Sequence, residues 1–163
     1  MERHQFKVTI NAPRERVWEV LWGDATYPRW TAPFSEGSRA ETDWKTGSKV
    51  LFLDGQGYGM VSMIAENIPN EVMSFRHLGT YNNGKEDMDE ARKKGWTGAI
   101  EHYILQSIEG GKTLLTIDQD MEAENKAQFF EIWPKALEQL KEICEQNDTE
   151  ELFATEASEA RRR

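Results

Sequence analysis

The chain of 163 residues has a single cysteine, Cys144, which excludes an internal disulfide framework. Apolar runs are short. None approaches the ~18 residues that a membrane-spanning helix requires. Basic residues are in deficit: 20 Lys and Arg face 29 Asp and Glu, a formal net charge of −9. Binding to nucleic acid needs a basic face for phosphate contacts, so this balance argues against it. Histidines number three, His4, His77 and His102. None sits in HxxxH or HExxH spacing, so no zinc site and no other metal or cofactor is expected. There is no GxSxG elbow and no CxxC. Residues 1–5 lead straight into a strand-like run and do not read as a signal peptide. A cytoplasmic protein with one core follows from these absences. The length suffices to bury roughly 70% of the surface of the unfolded chain.

What is present is a change of period along the chain. Residues 6–10 (FKVTI) alternate like a strand. Asn11 then reads as an N-cap, and Pro13 fits a first helical turn. Val17, Val20 and Leu21 follow at i, i+3, i+4 spacing, and Gly23 stops this helix. Residues 25–30 read as a second short helix holding Pro28. From Gly37 the period becomes that of strands: 38–42, 49–53, 58–66, 72–78, 96–108 and 112–121. Asp54-Gly55 and Gly110-Gly111 mark tight turns. The triplet Gly55, Gly57, Gly59 lies between two strands, so it reads as a hairpin and not as a nucleotide loop. Asp87 and Asp89 lack the rest of a calcium loop. Residues 80–95 are polar and read as an inserted loop with a helical turn near 86–94.

Residues 124–145 form the strongest helical pattern. Phe129, Trp133, Leu137, Leu140 and Cys144 share one stripe. Pro134 removes the hydrogen bond to the Phe130 carbonyl and is expected to kink this helix without ending it. Residues 147–163 lose the apolar period and read as a disordered or loosely docked tail, leaving one domain over 1–146. Asn147-Asp148-Thr149 fits a glycosylation sequon, taken as chance.

The order is strand, two helices, an antiparallel meander and one long helix, an α+β arrangement. In that order the chain resembles the START/SRPBCC helix-grip superfamily. Within it, the chain is similar to the family of the activator of the ninety-kilodalton heat-shock-protein ATPase. The residues that carry the resemblance are Ile10-Asn-Ala-Pro13 before Val17-Trp18, then Trp30, and Asp43-Trp44-Lys-Thr-Gly47. Ile64-Ala-Glu-Asn-Ile-Pro69 and Ser74-Phe-Arg-His-Leu-Gly79 follow, and Phe129 to Lys141 closes the match. It covers about residues 4–146. The resemblance implies a curved antiparallel sheet wrapped around the C-terminal helix, with a space between them. It also implies three kinds of function: binding of a small hydrophobic or aromatic molecule, cyclase- or hydratase-type catalysis, and interaction with a chaperone or other protein partner.

Strand parity then selects an inward face. It takes Leu115, Ile117, Gln119 and Met121 from one strand and Met73, Phe75 and His77 from another. Met60, Ser62 and Ile64, and Val50 and Phe52, come from the strands before them. Glu101, Tyr103 and Leu105 are placed inward on the resemblance. The expected ligand-binding set is Trp30, Val50, Phe52, Met60, Ser62, Phe75, His77, Glu101, Tyr103, Gln119, Phe129, Trp133 and Leu137. Apolar walls with few polar groups suit a small-molecule pocket, and a filled core with paired polar groups is the bland counterpart. No residue is assigned as catalytic in the first reading. In the second, His77 and Glu101 act as an acid–base pair, the carboxylate favouring the imidazolium and burial opposing it.

Overall fold

The computed structural model describes residues 1–146. The tail and the sequon lie outside the described residues. Strand β1 (Glu2–Ile10) is followed by α1 (Arg14–Trp22), α2 (Tyr27–Trp30), β2 (Arg39–Glu41), β3 (Lys49–Leu53), β4 (Tyr58–Ile68) and β5 (Val72–Asn82). Then come β6 (Lys85–Asp87), α3 (Asp89–Lys94), β7 (Ala99–Ile108), β8 (Lys112–Met121) and α4 (Lys126–Glu145). The strands form one curved antiparallel sheet in the order β1-β8-β7-β5-β4-β3-β2, with β6 pairing on β5. Short turns between sequential strands produce most of this order. The exception is β1, which returns to pair with β8 from Glu2↔Met121 to Ile10↔Thr113.

The helices cover one face of the sheet. The α1 residues Val17, Val20 and Leu21 are fully buried, as their spacing requires. The α4 stripe buries Trp133, Ala136, Leu137, Leu140, Ile143 and Cys144. α4 packs on β1, α1 and α2, so the final helix closes against the first elements of the chain. It runs unbroken through Pro134, which is solvent-exposed. The lost Phe130 carbonyl bond therefore faces water. Pro134→Ala should restore it and stabilise the fold by about 1 kcal/mol, within the ~3 kcal/mol by which helix propensity favours Ala. Urea unfolding of the variant measures this; a loss of stability would show that the proline sets the packing of α4.

Two expectations are corrected. Asn11 does not cap α1, because Pro13 holds the cap position with extended backbone. The Asn11 backbone N–H instead donates to Glu145 Oε2 at 2.8 Å, tying the chain before α1 to the end of α4. Residues 80–95 are not an inserted loop. β5 continues to Asn82 and turns back through Asn83 and Gly84, both at positive φ, into β6 and then α3. A two-residue hairpin needs that left-handed pair. α3 packs on β5 with Ala91 buried. Gly79 permits this approach: a Cβ there would collide with the Asp87 carbonyl oxygen and the Met88 sulfur. Ser74 alternates with the inward Met73, Phe75 and His77, so it lies on the opposite face of β5, and it is buried there.

On the outer face, Arg3 pairs with Asp120 at 2.8 Å, and Asp120 Oδ2 accepts the Ile100 N–H at 3.0 Å. Burial alone would raise the Asp120 pKa, but the Arg3 hydrogen bond and the Ile100 N–H outweigh it and hold the carboxyl below its usual range. A lowered folded-state pKa stabilises above the unfolded value, near ~3.9, and that contribution is lost as pH falls through the folded value. Asp120→Asn should therefore cost no more than about 1 kcal/mol at pH 7. The gap from the wild type should close in acid denaturation curves below about pH 3.

Candidate functional site

Between the concave face of the sheet, α2 and the start of α4 lies an open cavity of about 770 Å³. The sheet contributes Phe52, Met60, His77, Glu101, Tyr103 and Gln119 to its wall. The helices contribute Trp30, Phe129 and Trp133. Val50, Ser62, Phe75 and Leu137 do not line it. Val50, Ser62 and Phe75 on the sheet and Leu137 on α4 are instead buried in the core. There the interior is filled: Phe75 meets Trp22 edge-on at 5.5 Å and Phe52 at 5.0 Å, and Trp22 lies 5.5 Å from Trp44. Parity assigns a face; it says nothing of where along a strand the space ends.

Tyr27, Phe34, Thr80 and Trp96 also line the cavity and were not foreseen. Thr80 lies on the even set of β5. Pairing slips between Val61↔Gly79 and Ser62↔His77, which leaves Leu78 as a bulged residue. The bulge inverts parity, so His77 and Thr80 reach the same side. Tyr27 lies one helical turn before Trp30, a spacing that could have flagged it. Phe34 follows α2 in irregular chain, where no period exists, and its ring meets Trp133 at 4.8 Å.

A row of polar groups runs from the core behind this wall, at Ser62, to its surface at Glu101 and Tyr103. Ser62 Oγ lies 2.6 Å from His77 Nδ1, and His77 Nε2 lies 3.3 Å from Glu101 Oε1. Tyr103 donates its hydroxyl to Glu101 Oε2 at 2.5 Å. The sheet register builds the row. Ser62 is the cross-strand partner of His77, and Glu101 is paired with Phe75, diagonal to His77. Tyr103 follows Glu101 on the same face. When His77 Nε2–H points at Glu101, Nδ1 is left to accept the Ser62 hydroxyl. Beside the row, Trp133 donates its indole N–H to Gln119 Oε1 at 2.5 Å. Burial first, and then the Glu101 charge, push the Tyr103 hydroxyl well above the ordinary phenol range. The same two causes raise Tyr27. Both phenols are therefore neutral donors at physiological pH.

Among the described residues, no group of three or more His, Cys, Asp or Glu could hold a metal ion. Burial pushes the Cys144 thiol up to about 12, so it is a core residue of α4 and not a thiolate nucleophile. No helix of the described residues is long and apolar enough to cross a membrane.

A curved antiparallel sheet holding a long C-terminal helix, with an aromatic space between them, defines the helix-grip class of the SRPBCC superfamily, whose members are ligand-binding or polyketide-cyclase-like. The chain belongs to the family of Activator of Hsp90 ATPase homolog 1-like proteins, whose profile matches residues 11–145. Among solved structures, the Aha1 dimer from Colwellia psychrerythraea is similar, with TM-score 0.67 and 20% identity over 89% of this chain and 97% of that one. DynU16, a putative protein in the dynemicin biosynthetic locus, has TM-score 0.64 and 18% identity over 87% of this chain, but only 46% of its own length is covered. A protein from Mesorhizobium loti has TM-score 0.64 and 16% identity over 90% of this chain and 99% of that one. At these identities the likeness is one of fold. No curated protein matches the chain.

Proposed function

We propose that this protein binds a small hydrophobic or aromatic molecule in the cavity between the sheet and α4, in the cytoplasm. The observation that carries this reading is an open space of about 770 Å³ walled by Trp30, Phe34, Phe52, Phe129 and Trp133 with one short polar row on its floor. Drug-sized sites have this volume and this mixture of apolar wall and few convergent polar groups. Binding would stabilise the fold by mass action, about 2.7 kcal/mol at a hundredfold excess over the dissociation constant.

The test is a thermal-shift screen of small aromatic and fatty compounds. A compound should raise the melting temperature of the wild type, and Phe52→Ala and Phe129→Ala should abolish the shift. Both side chains are only partly buried, and far-UV circular dichroism of each variant checks that the fold is kept. Phe130→Ala, on an exposed residue outside the cavity wall, should keep the shift. Failure of every compound, or a shift indifferent to Phe52 and Phe129, overturns the reading. Native mass spectrometry of protein from its own cell adds a second arm. A co-purifying small molecule supports the binder, and a chaperone captured in its place replaces it with a protein-interaction role.

The hydrogen-bonded His77–Glu101 pair supports a second reading, a cyclase- or hydratase-type enzyme in which the pair moves a proton on the ligand. Chemical conversion of a bound compound, abolished by His77→Ala with binding retained, would favour it over simple binding.

A further inference from the structure

The floor of the cavity has an unbalanced charge. Glu101 brings a carboxylate to it, and the partners of that carboxylate are the Tyr103 hydroxyl and the His77 ring. A carboxylate has about four lone-pair sites, so two acceptor positions are left over. Its side chain retains 19% exposure against 7% for His77, so it is reached from the cavity. The basic side chains on the wall are engaged elsewhere: Arg39 with Glu41 at 3.1 Å, and Lys94 with Glu90 at 3.1 Å. A partly buried carboxylate held only by a phenol and an imidazole keeps open lone pairs on which a cation can sit. The same cavity wall carries Trp133, Phe34, Phe52 and Tyr27, and ring faces attract cations. Along the wall the acids Asp54, Glu90, Asp120 and Glu122 outnumber the basic side chains Arg39 and Lys94, although Glu90 and Asp120 are themselves paired with Lys94 and Arg3. This would raise the local concentration of cations and repel anions.

We propose that the cavity selects a cationic amphiphile, an ammonium group seated on Glu101 with its aryl or alkyl body against Trp133, Phe34 and Phe52. This rests on the cavity being a ligand site. Fatty acids and aryl carboxylates are excluded by the same carboxylate that holds the amine.

The experiment uses the full chain and three probes of one shape: phenethylamine, phenethyl alcohol and hydrocinnamate. Calorimetric titration at neutral pH and low salt should rank amine above alcohol above acid, with the amine about tenfold tighter than the alcohol. Glu101→Gln should bring amine and alcohol to within about twofold, chiefly by weakening the amine. Equal affinity for amine and alcohol on the wild type, or tighter binding of the acid, overturns the charge selection and leaves the hydrophobic site standing. An amine preference that survives Glu101→Gln overturns the assignment to Glu101. If none of the three binds in a manner sensitive to Phe129→Ala, the ligand site itself fails, and this proposal with it. The ranking on the wild type decides the charge selection even if Glu101→Gln does not fold, and Glu101→Asp then tests the assignment by the same comparison of amine with alcohol.

Discussion

Replacing Trp133 with alanine should destabilise the protein by about 3–5 kcal/mol, the range for removing a large aromatic side chain from a core. Trp133 is 2% exposed and lies where four aromatic groups converge. Its ring stacks on Phe6 at 5.6 Å and meets Phe34 edge-on at 4.8 Å, with Trp30 and Tyr103 at 6.4 and 6.3 Å. These partners come from β1, the segment after α2, α2 itself and β7. One indole therefore links the first strand, the short helix and the sheet to α4. Its N–H also satisfies Gln119, which is buried at 6% exposure. The space left by alanine would join the existing cavity, so water can reach Gln119 and the collapse is only partial. A loss of 3–5 kcal/mol in a chain of this size corresponds to a fall in melting temperature of roughly 6–20 °C. Urea unfolding followed by far-UV circular dichroism measures it. A loss below about 1 kcal/mol would mean that the aromatic cluster repacks around the gap and that α4 is held chiefly by its second half, Leu137 to Cys144.

The same residue shows what was legible in the sequence. Trp133 stands out because a helix of twenty residues offers several turns of one period, and the stripe through Phe129, Trp133, Leu137, Leu140 and Cys144 repeats in each. The inward set of β8 was readable from its alternation, whereas that of β7 had to be taken from the resemblance, because Glu101, Tyr103 and Leu105 alternate with the equally mixed His102, Ile104 and Gln106. The paired stretch from Glu101↔Gln119 to Ile108↔Lys112 carries no register shift, so the two sets share one face. Parity fails where the ladder slips. The bulge at Leu78 turns Thr80 inward, and no property of the residues 77–80 taken alone announces it. It fails also where depth matters: Phe75 and Val50 face the right way but end in filled core. Tyr27 and Phe34 come from a four-residue helix and the irregular chain after it, too short for any period to be measured. The Asn83-Gly84 hairpin is different. Its dipeptide is a recognised turn signal, but the charge of residues 85–94 masked the short strand and helix that follow.

His77→Leu should cost about 3 kcal/mol, the upper end for buried polar groups left without partners. The side chain sits in the middle of its row and is 5% exposed. Removing it strips two neighbours at once. Ser62, with no exposed surface, loses the ring nitrogen 2.6 Å away, and Glu101 loses one of its two donors. Glu101 faces the cavity, where water can replace the lost bond; Ser62 is closed off from it, so its hydroxyl bears most of the penalty. The argument yields a sharper result in a double-mutant cycle. Ser62→Ala alone should cost about 1 kcal/mol, the net worth of one hydrogen bond. In the His77→Leu background the same substitution should be neutral or stabilising, because alanine then removes a stranded hydroxyl and not a bonded one. The coupling energy between the two sites should therefore be about 1–2 kcal/mol, read from urea unfolding of the four proteins. Additive costs would show that Ser62 and His77 are satisfied independently. A coupled pair would instead mean that the apolar interior holds His77 in one orientation, with Nε2 turned to Glu101. That fixed orientation is what either a binding site or a proton-transfer site on this wall requires.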